Sequence, residues 1–255
     1  MNGNSDERIL TTTQRSLEII DLIREKEGAT LAELNEQLDL ARSTIHNHLM
    51  TLEKMDYIHR NGTVYHLTLR FVNFGEYLKA NRRSYNIITE VVDELAEETE
   101  EDVSFEIKDR SKLMVIYGTY NSPTETRRLG GYHYLHNTAC GKAILAEMPQ
   151  SEVERVIAEA GLPKATDHTI VSEPEFFTEL ETVRAQGYAV NDEEFVEGLR
   201  AVGAVVKNID GSILGAIAIS GPTYRLDATR LNNELPDLLL EACDNIESAI
   251  NPSND

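Results

Sequence analysis

The sequence predicts an α+β protein in which an N-terminal winged helix-turn-helix precedes an antiparallel-sheet domain. Three observations carry this. Apolar residues recur at helical spacing in three short segments between residues 13 and 53. An Asn61-Gly62 pair flanked by alternating residues follows them, the strongest short-range sign of a β-hairpin. Beyond residue 100 the strands come in hairpins with tight polar turns and the helices stand apart from them, which argues against a doubly wound sheet. At 255 residues the chain holds one large domain or two modest ones, and its core needs no disulfide or metal to close.

In chain order, Thr13 is the expected cap of a first helix whose apolar residues Leu17, Ile20 and Ile23, with Ile19 beside them, run up to Gly28. Thr30 followed by Glu33 forms a capping box, and Leu31, Leu34 and Leu38 line a short second helix. After a turn through Asp39 and Leu40, residues 41–53 form the third helix, with Ile45, Leu49 and Leu52 as its buried stripe. Its exposed set is Arg42, Ser43, Thr44, His46, Asn47 and Thr51, hydrogen-bonding side chains suited to the major groove, and its only acid is Glu53 near the far end. The hairpin at residues 58–68 supplies the wing, with a type I′ turn at Asn61-Gly62. The expected DNA contacts are therefore the exposed residues of the third helix together with Arg60 and Asn61 of the wing.

A helical stretch from about Phe71 to Glu101, interrupted near Arg83-Ser84, ends in EETEEDV, which reads as a solvated charge run. Strands are expected at 103–108 and 112–119, joined by Asp109-Arg110-Ser111, and a loop and strand over 121–134. Helices follow from Ala139, at 151–160 and at 173–186. Strands return at 188–190, 201–208 and 212–220, the last two turning at Asp210-Gly211, and a helix closes the chain from about 228 to 250.

Charge is the unusual quantity. Forty-four acids against 24 bases give a formal net charge of −20, and only 8 of the bases are Lys. Such a balance argues against nucleic acid until its distribution is considered. Residues 1–75 hold 11 acids and 8 bases, net −3, and the acid load lies in the remainder. Many acids with scarce Lys resemble the surfaces of proteins from salt-in halophiles, where high ionic strength screens self-repulsion. The apolar stretches are too short to span a bilayer, and the N-terminus lacks the basic and apolar regions of a signal peptide. With only Cys140 and Cys243, the expected compartment is the cytoplasm.

No GxSxG, HExxH, P-loop or GxGxxG is present. His133, His136 and Cys140 offer imidazole and thiolate within eight residues, yet their spacing fits no structural zinc pattern. Asp192, Glu193 and Glu194 hold carboxylates for acid–base work, but consecutive acids point in different directions and more often solvate a loop.

In order and spacing, several segments together resemble the IclR family of transcriptional regulators from about Thr12 to Ile250: TTTQRSLEII, STIHNHLMTLE, Tyr65-His66-Leu67, CGKAILAEMP, QGYAVNDEEFVEGLRAVGAVV and GAIAISGP. The resemblance implies a winged helix over residues 1–70, a linker helix over 71–84 and a GAF-like effector-binding domain over 85–255. It implies a homodimer or homotetramer that binds palindromic double-stranded operator DNA and answers to a small molecule, with no cofactor, metal or membrane. The implied effector pocket draws on Leu129, His133, Ala139, Cys140, Asn191, Ala201, Ala218 and Ser220, with Arg127 and Arg128 placed to pair with a carboxylate. Two departures bear on the sites. Asn47 stands where relatives commonly carry Arg, and it reads adenine bidentately without neutralising a phosphate. Asn191 and Ala218 stand where acid or hydroxyl groups are frequent.

The leading expectation is a metabolite-controlled regulator of a sugar, sugar-acid or organic-acid catabolic operon, not an enzyme. The alternative, from another class, is a zinc-dependent enzyme built on His133, His136 and Cys140 with the winged helix appended.

Overall fold

The computed structural model describes residues 9–80, 84–120 and 129–250. It comprises two compact units, residues 1–82 and 83–255.

In the first unit, helix α1 (Thr11–Glu25) begins three residues earlier than expected, after Leu10, and no side chain caps it, so Thr13 lies within its first turn. The buried edge of α1 is Ile19 and Ile23, one helical turn apart. Leu17 is 56% exposed, because the other elements pack against a face rotated away from it. A two-residue strand β1 (Ala29–Thr30) leads into α2 (Leu31–Gln37), where Thr30 and Glu33 complete the capping box from both sides. Helix α3 (Arg42–Lys54) buries Ile45, Leu49 and Leu52. The wing is β2 (Ile58–Asn61) and β3 (Val64–Leu67), and β1 adds to it as a third antiparallel strand, in the order β1-β3-β2.

The wing turn differs from expectation. Asn61 pairs with Val64, so the two loop residues are Gly62 and Thr63. Only Gly62 has a left-handed φ, 62°, which fits a II′ turn with Gly first rather than a I′ turn at Asn61-Gly62. Helix α4 (Arg70–Ala80) completes the unit, and among the described residues it buries none of its own.

In the second unit, α5 (Tyr85–Thr99) precedes a six-stranded antiparallel sheet. Its strands are β4 (Asp102–Asp109), β5 (Lys112–Thr119), β6 (Tyr132–Tyr134), β7 (Ala189–Asp192), β8 (Leu199–Lys207) and β9 (Ile213–Pro222), in the order β6-β5-β4-β9-β8-β7. One sheet face packs on α5 and α9 (Leu235–Ile250) through Val103, Phe105, Val202, Ile217 and Ile219. The other carries α6 (Ala139–Glu147) and α8 (Glu173–Gln186), while α7 (Gln150–Ala160) contributes Val153 and Ile157 to that core. Alternate side chains of each strand serve the two cores, which is why these strands read as nearly continuous apolar runs. The closing helix runs from 228 to 250 as expected, with a π-helical turn over Arg230–Glu234 just before α9.

The EETEEDV run is not wholly solvated. Glu101 and Asp102 are buried, and Glu101 forms an ion pair with Arg225 at 2.8 Å and accepts from Arg230 at 2.9 Å. Burial pushes the Glu101 carboxyl above the usual carboxylate range against the pull of both guanidinium groups.

Candidate functional site

On α3 the buried stripe holds the helix against the rest of the first unit, and the opposite face is left to solvent. Arg42, Ser43, His46, Asn47 and Thr51 are exposed, Thr44 is half-buried, and Arg60 and Asn61 are exposed on the wing. Thr51 Oγ1 donates to the Asn47 carbonyl at 2.9 Å, so its hydroxyl proton is committed to the helix itself. His48, on the flank of α3, hydrogen-bonds through Nδ1 to Ser16 Oγ at 2.8 Å and ties α3 to α1. Met50 is 57% exposed and shares the face of His46 and Asn47 at steps of four and three. Sequence reasoning missed it, although its i+4 spacing from His46 was there to be used, and its thioether suits contact with a thymine methyl. No side chain caps α3, which leaves first-turn N–H groups open to an anion such as phosphate.

In the second unit the residues of the implied effector pocket fall into two sets. Asn191, Ala201 and Ser220 lie side by side across β7, β8 and β9, and Ala218 pairs with Gly203 two residues along. The N-terminus of α6 rests directly on that row: a Cβ on Gly203 would stand 2.6 Å from the Ala139 carbonyl carbon and 2.7 Å from the Cys140 nitrogen. A Cβ on Gly141 would meet the Leu135 carbonyl oxygen at 2.1 Å, so the loop before α6 is equally close. Ala139, Cys140, Asn191, Ala201, Ala218 and Ser220 therefore converge, all buried, at the start of α6, where Thr138 caps the helix by accepting from the Gly141 N–H. His133, although on the edge strand β6, reaches across to place its ring 5.0 Å from that of Phe195, which follows β7. Leu129 is 54% exposed and stands apart from the buried set. Arg127 and Arg128 lie outside the described residues.

The polar groups of this region are largely committed. Asn191 Nδ2 donates to the Asn137 carbonyl at 2.5 Å and Asn191 Oδ1 accepts from the Glu194 N–H at 3.2 Å. The amide expected to hold a ligand instead pins the loop before α6 to the loop after β7. Ser220 Oγ makes only a long bond of 3.4 Å to the Asp102 carbonyl. Asn137 Oδ1 and Glu194 Oε2 are buried acceptors without a hydrogen-bond partner among the described residues.

The acid cluster is divided. Asp192 pairs with Arg200 at 2.6 Å, Glu193 accepts from the Gly198 N–H, and Glu194 turns inward rather than solvating a loop. It meets the buried ammonium of Lys142 at 2.5 Å, which also binds Glu179 at 2.7 Å. Burial pushes the Glu194 carboxyl up, while Lys142 pulls it down. Lys142 and Glu194 were missed as a pair; the signal was a lone Lys inside an otherwise apolar helix, which is buried only when a carboxylate meets it. Glu106 is a further buried carboxylate, taking the Ser104 hydroxyl at 2.8 Å beside Ala216 and Ala218.

The zinc arrangement does not form. His136 Nε2 is held to the Pro163 carbonyl at 3.1 Å and its ring stacks edge-on to Phe176. Cys140 is packed in the apolar core of α6. Among the described residues no three His, Cys, Asp or Glu side chains are placed to hold a metal ion. A cavity of about 240 Å³ opens at the opposite end of α6, lined by Glu147, Lys207 and Cys243 among others, and contains none of the implied effector residues.

A winged helix-turn-helix with a polar recognition helix, followed in the chain by a two-faced antiparallel-sheet domain, defines a DNA-binding transcriptional regulator with a ligand-binding domain. Residues 12–62 match the IclR helix-turn-helix domain and residues 80–248 match the bacterial transcriptional regulator IclR C-terminal domain, so the chain belongs to the IclR family. It is 32% identical to the probable HTH-type transcriptional regulator ArcR of Halobacterium salinarum, over 96% of this chain and 95% of that protein. The crystal structure of a putative transcriptional regulator from Rhodococcus superposes with a TM-score of 0.83 at 22% identity, covering 96% of this chain and all of the other. A double mutant of the inducer-binding domain of the Acinetobacter transcription factor PobR, solved with 3-hydroxybenzoic acid, matches at a TM-score of 0.60 and 22% identity over 64% of this chain and 96% of that domain. No helix among the described residues is long and apolar enough to cross a membrane.

Proposed function

We propose that the chain is a non-enzymatic regulator of a catabolic operon for sugars, sugar acids or other organic acids, with residues 1–70 reading the operator, 71–84 linking and 85–255 sensing the effector. The observation that carries the DNA half is the exposed face of α3, where Arg42, Ser43, Thr44, His46, Asn47 and Thr51 present hydrogen-bonding groups with no acid among them in a chain of net charge −20. Arg60 and Asn61 extend the contact through the wing.

The effector reading rests on the start of α6. An anionic ligand is favoured by the dipole of that helix end, with the Ser220 hydroxyl beside the small residues Ala201 and Ala218. His133, Leu129 and Arg128 belong to the segment preceding α6. PobR, solved with an aromatic hydroxy acid in its inducer-binding domain, is consistent with an acid as ligand class. The molecule acts as a homodimer or homotetramer, because Val72, Phe74, Tyr77 and Leu78 of α4 are 42–66% exposed and one winged helix offers few base contacts.

The experiment is selection of duplexes from a random pool with the full chain, followed by titration of the complex with a panel of sugar acids and organic acids. An operator with two-fold symmetry, released or tightened by one acid in the wild type but not in Ser220→Ala, is the expected result. Retention of the response in Ser220→Ala moves the pocket elsewhere, and failure to enrich any sequence overturns the DNA reading.

A further inference from the structure

His59 and His66 are directly opposed in the β2–β3 ladder, so their side chains stand on the same face of the wing. That face is the outer one: Ile58 and Tyr65, on the other side of the pleat, enter the core. The two rings lie 5.5 Å apart, centre to centre, and within 28° of parallel. Neither imidazole is engaged in a hydrogen bond among the described residues.

The two rings are not equally free. His66 packs on the backbone of Gly28: a Cβ there would come within 2.5 Å of its Cε1 and 2.6 Å of its Nδ1. Gly28 also has a φ of 133°, so no side chain is easily placed at that position. The Cε1–Nδ1 edge of His66 thus faces Gly28. His59 is exposed and turns about its own side-chain bonds.

We propose that His59 and His66 form a two-imidazole chelate on the wing for a borderline divalent transition metal, with water completing the coordination. Metal–nitrogen bonds of about 2.0–2.1 Å need the two donor nitrogens roughly 3 Å apart, and rotation of His59 toward the fixed His66 ring supplies this. Imidazole selects Cu2+, Ni2+ and Zn2+ over Mg2+ or Ca2+, with Cu2+ held most tightly of the series. The bound ion adds two positive charges beside Arg60, in a stretch of chain whose formal net charge is −3 over residues 1–75. The wing then attracts the DNA backbone more strongly whatever its sequence.

The test uses the full chain, stripped of metal and titrated with Cu2+ and Ni2+, and the variants His59→Ala, His66→Gln and His168→Ala. His59 is exposed, so its replacement leaves the fold intact, and Gln at 66 keeps a planar group against Gly28. One equivalent of Cu2+ with an electron paramagnetic signature of two nitrogen ligands is expected, weakened at least tenfold in His59→Ala and in His66→Gln and unchanged in His168→Ala. Ni2+ is expected to raise the affinity for a random 30-base-pair duplex at least threefold in the wild type and not in His59→Ala. Equal Cu2+ binding by the wild type and His59→Ala overturns the site, and a loaded wild type whose duplex affinity does not move overturns its effect on DNA.

Discussion

The Arg70 guanidinium sits 4.6 Å from the centre of the Tyr57 ring, joining the first residue of α4 to the residue that enters the wing. The same group lies 5.6 Å from the Phe74 ring and donates through Nη1 to the Met55 carbonyl at 3.1 Å, and Tyr57 itself stacks on Phe74 and meets Phe71 edge-on. The root of α4 is therefore clamped to the wing and to the end of α3 by one cation and three rings, although α4 buries no residue of its own.

Arg70→Ala is expected to loosen this clamp. An exposed cation–π contact contributes about 0.5–1 kcal/mol, and the loss of the Met55 bond adds to that. Arg70→Lys keeps the charge over Tyr57 but loses the planar fork, so it should recover part of the effect. Amide exchange of α4 and β2 reports the loosening directly; unchanged protection in Arg70→Ala would show that the apolar contacts suffice.

Asn47→Ala is expected to cost roughly 1–3 kcal/mol on the selected operator and to relax the choice at one base pair, as removal of a bidentate adenine contact does. Affinity measured against operators altered at each position distinguishes the outcomes. A uniform loss across all of them would make Asn47 a contact that positions the helix.

Much of this was legible in the sequence, for physical reasons. The capping box at Thr30 and Glu33, the stripe Ile45, Leu49 and Leu52, and the turn at Asp210-Gly211 are local signals, each enforced by residues within one turn of helix or one hairpin. What the sequence hid is set by partners far along the chain. The inward turn of Glu194 depends on Lys142, 52 residues away, and the burial of Glu101 depends on Arg225 and Arg230. Asn191 looked like a ligand group because its type suits one; its commitment to the Asn137 carbonyl follows only from the curl that brings β7 against the start of α6. The displaced wing turn is a one-residue matter of register, which Asn61-Gly62 and Gly62-Thr63 satisfy about equally until strand pairing decides.

His136 carries a pH prediction. Burial holds its imidazole below the usual pKa of histidine, and the bond to Pro163 only partly opposes this. The unfolded chain therefore takes up a proton at this residue at a higher pH than the folded one does. Stability associated with His136 is complete above the ordinary histidine range and is lost as pH falls through it toward the depressed folded value. Between about pH 6.5 and 5 the wild type should lose stability more steeply than His136→Gln in urea titrations at each pH. Parallel slopes for the two proteins would mean that the ring is charged in the fold.

The last expectation concerns salt. Binding to duplex DNA loses affinity with a slope of about −0.9 in log–log form for each phosphate neutralised. Residues 1–75 hold only 8 bases against 11 acids, and Asn47 in the middle of the exposed face of α3 is uncharged. Few phosphate contacts are available, so base-edge bonds from α3 must supply more of the energy, and the slope should be shallow. The 33 acids of the remaining chain repel one another in dilute buffer, and screening removes that repulsion, so thermal stability should rise toward molar KCl. Operator affinity and melting temperature measured from dilute to molar KCl test both halves. A slope of roughly −8 to −10, as for proteins with many phosphate contacts, would show that hidden cations dominate binding. Greatest stability in dilute buffer would show that the acids are held in pairs rather than in mutual repulsion.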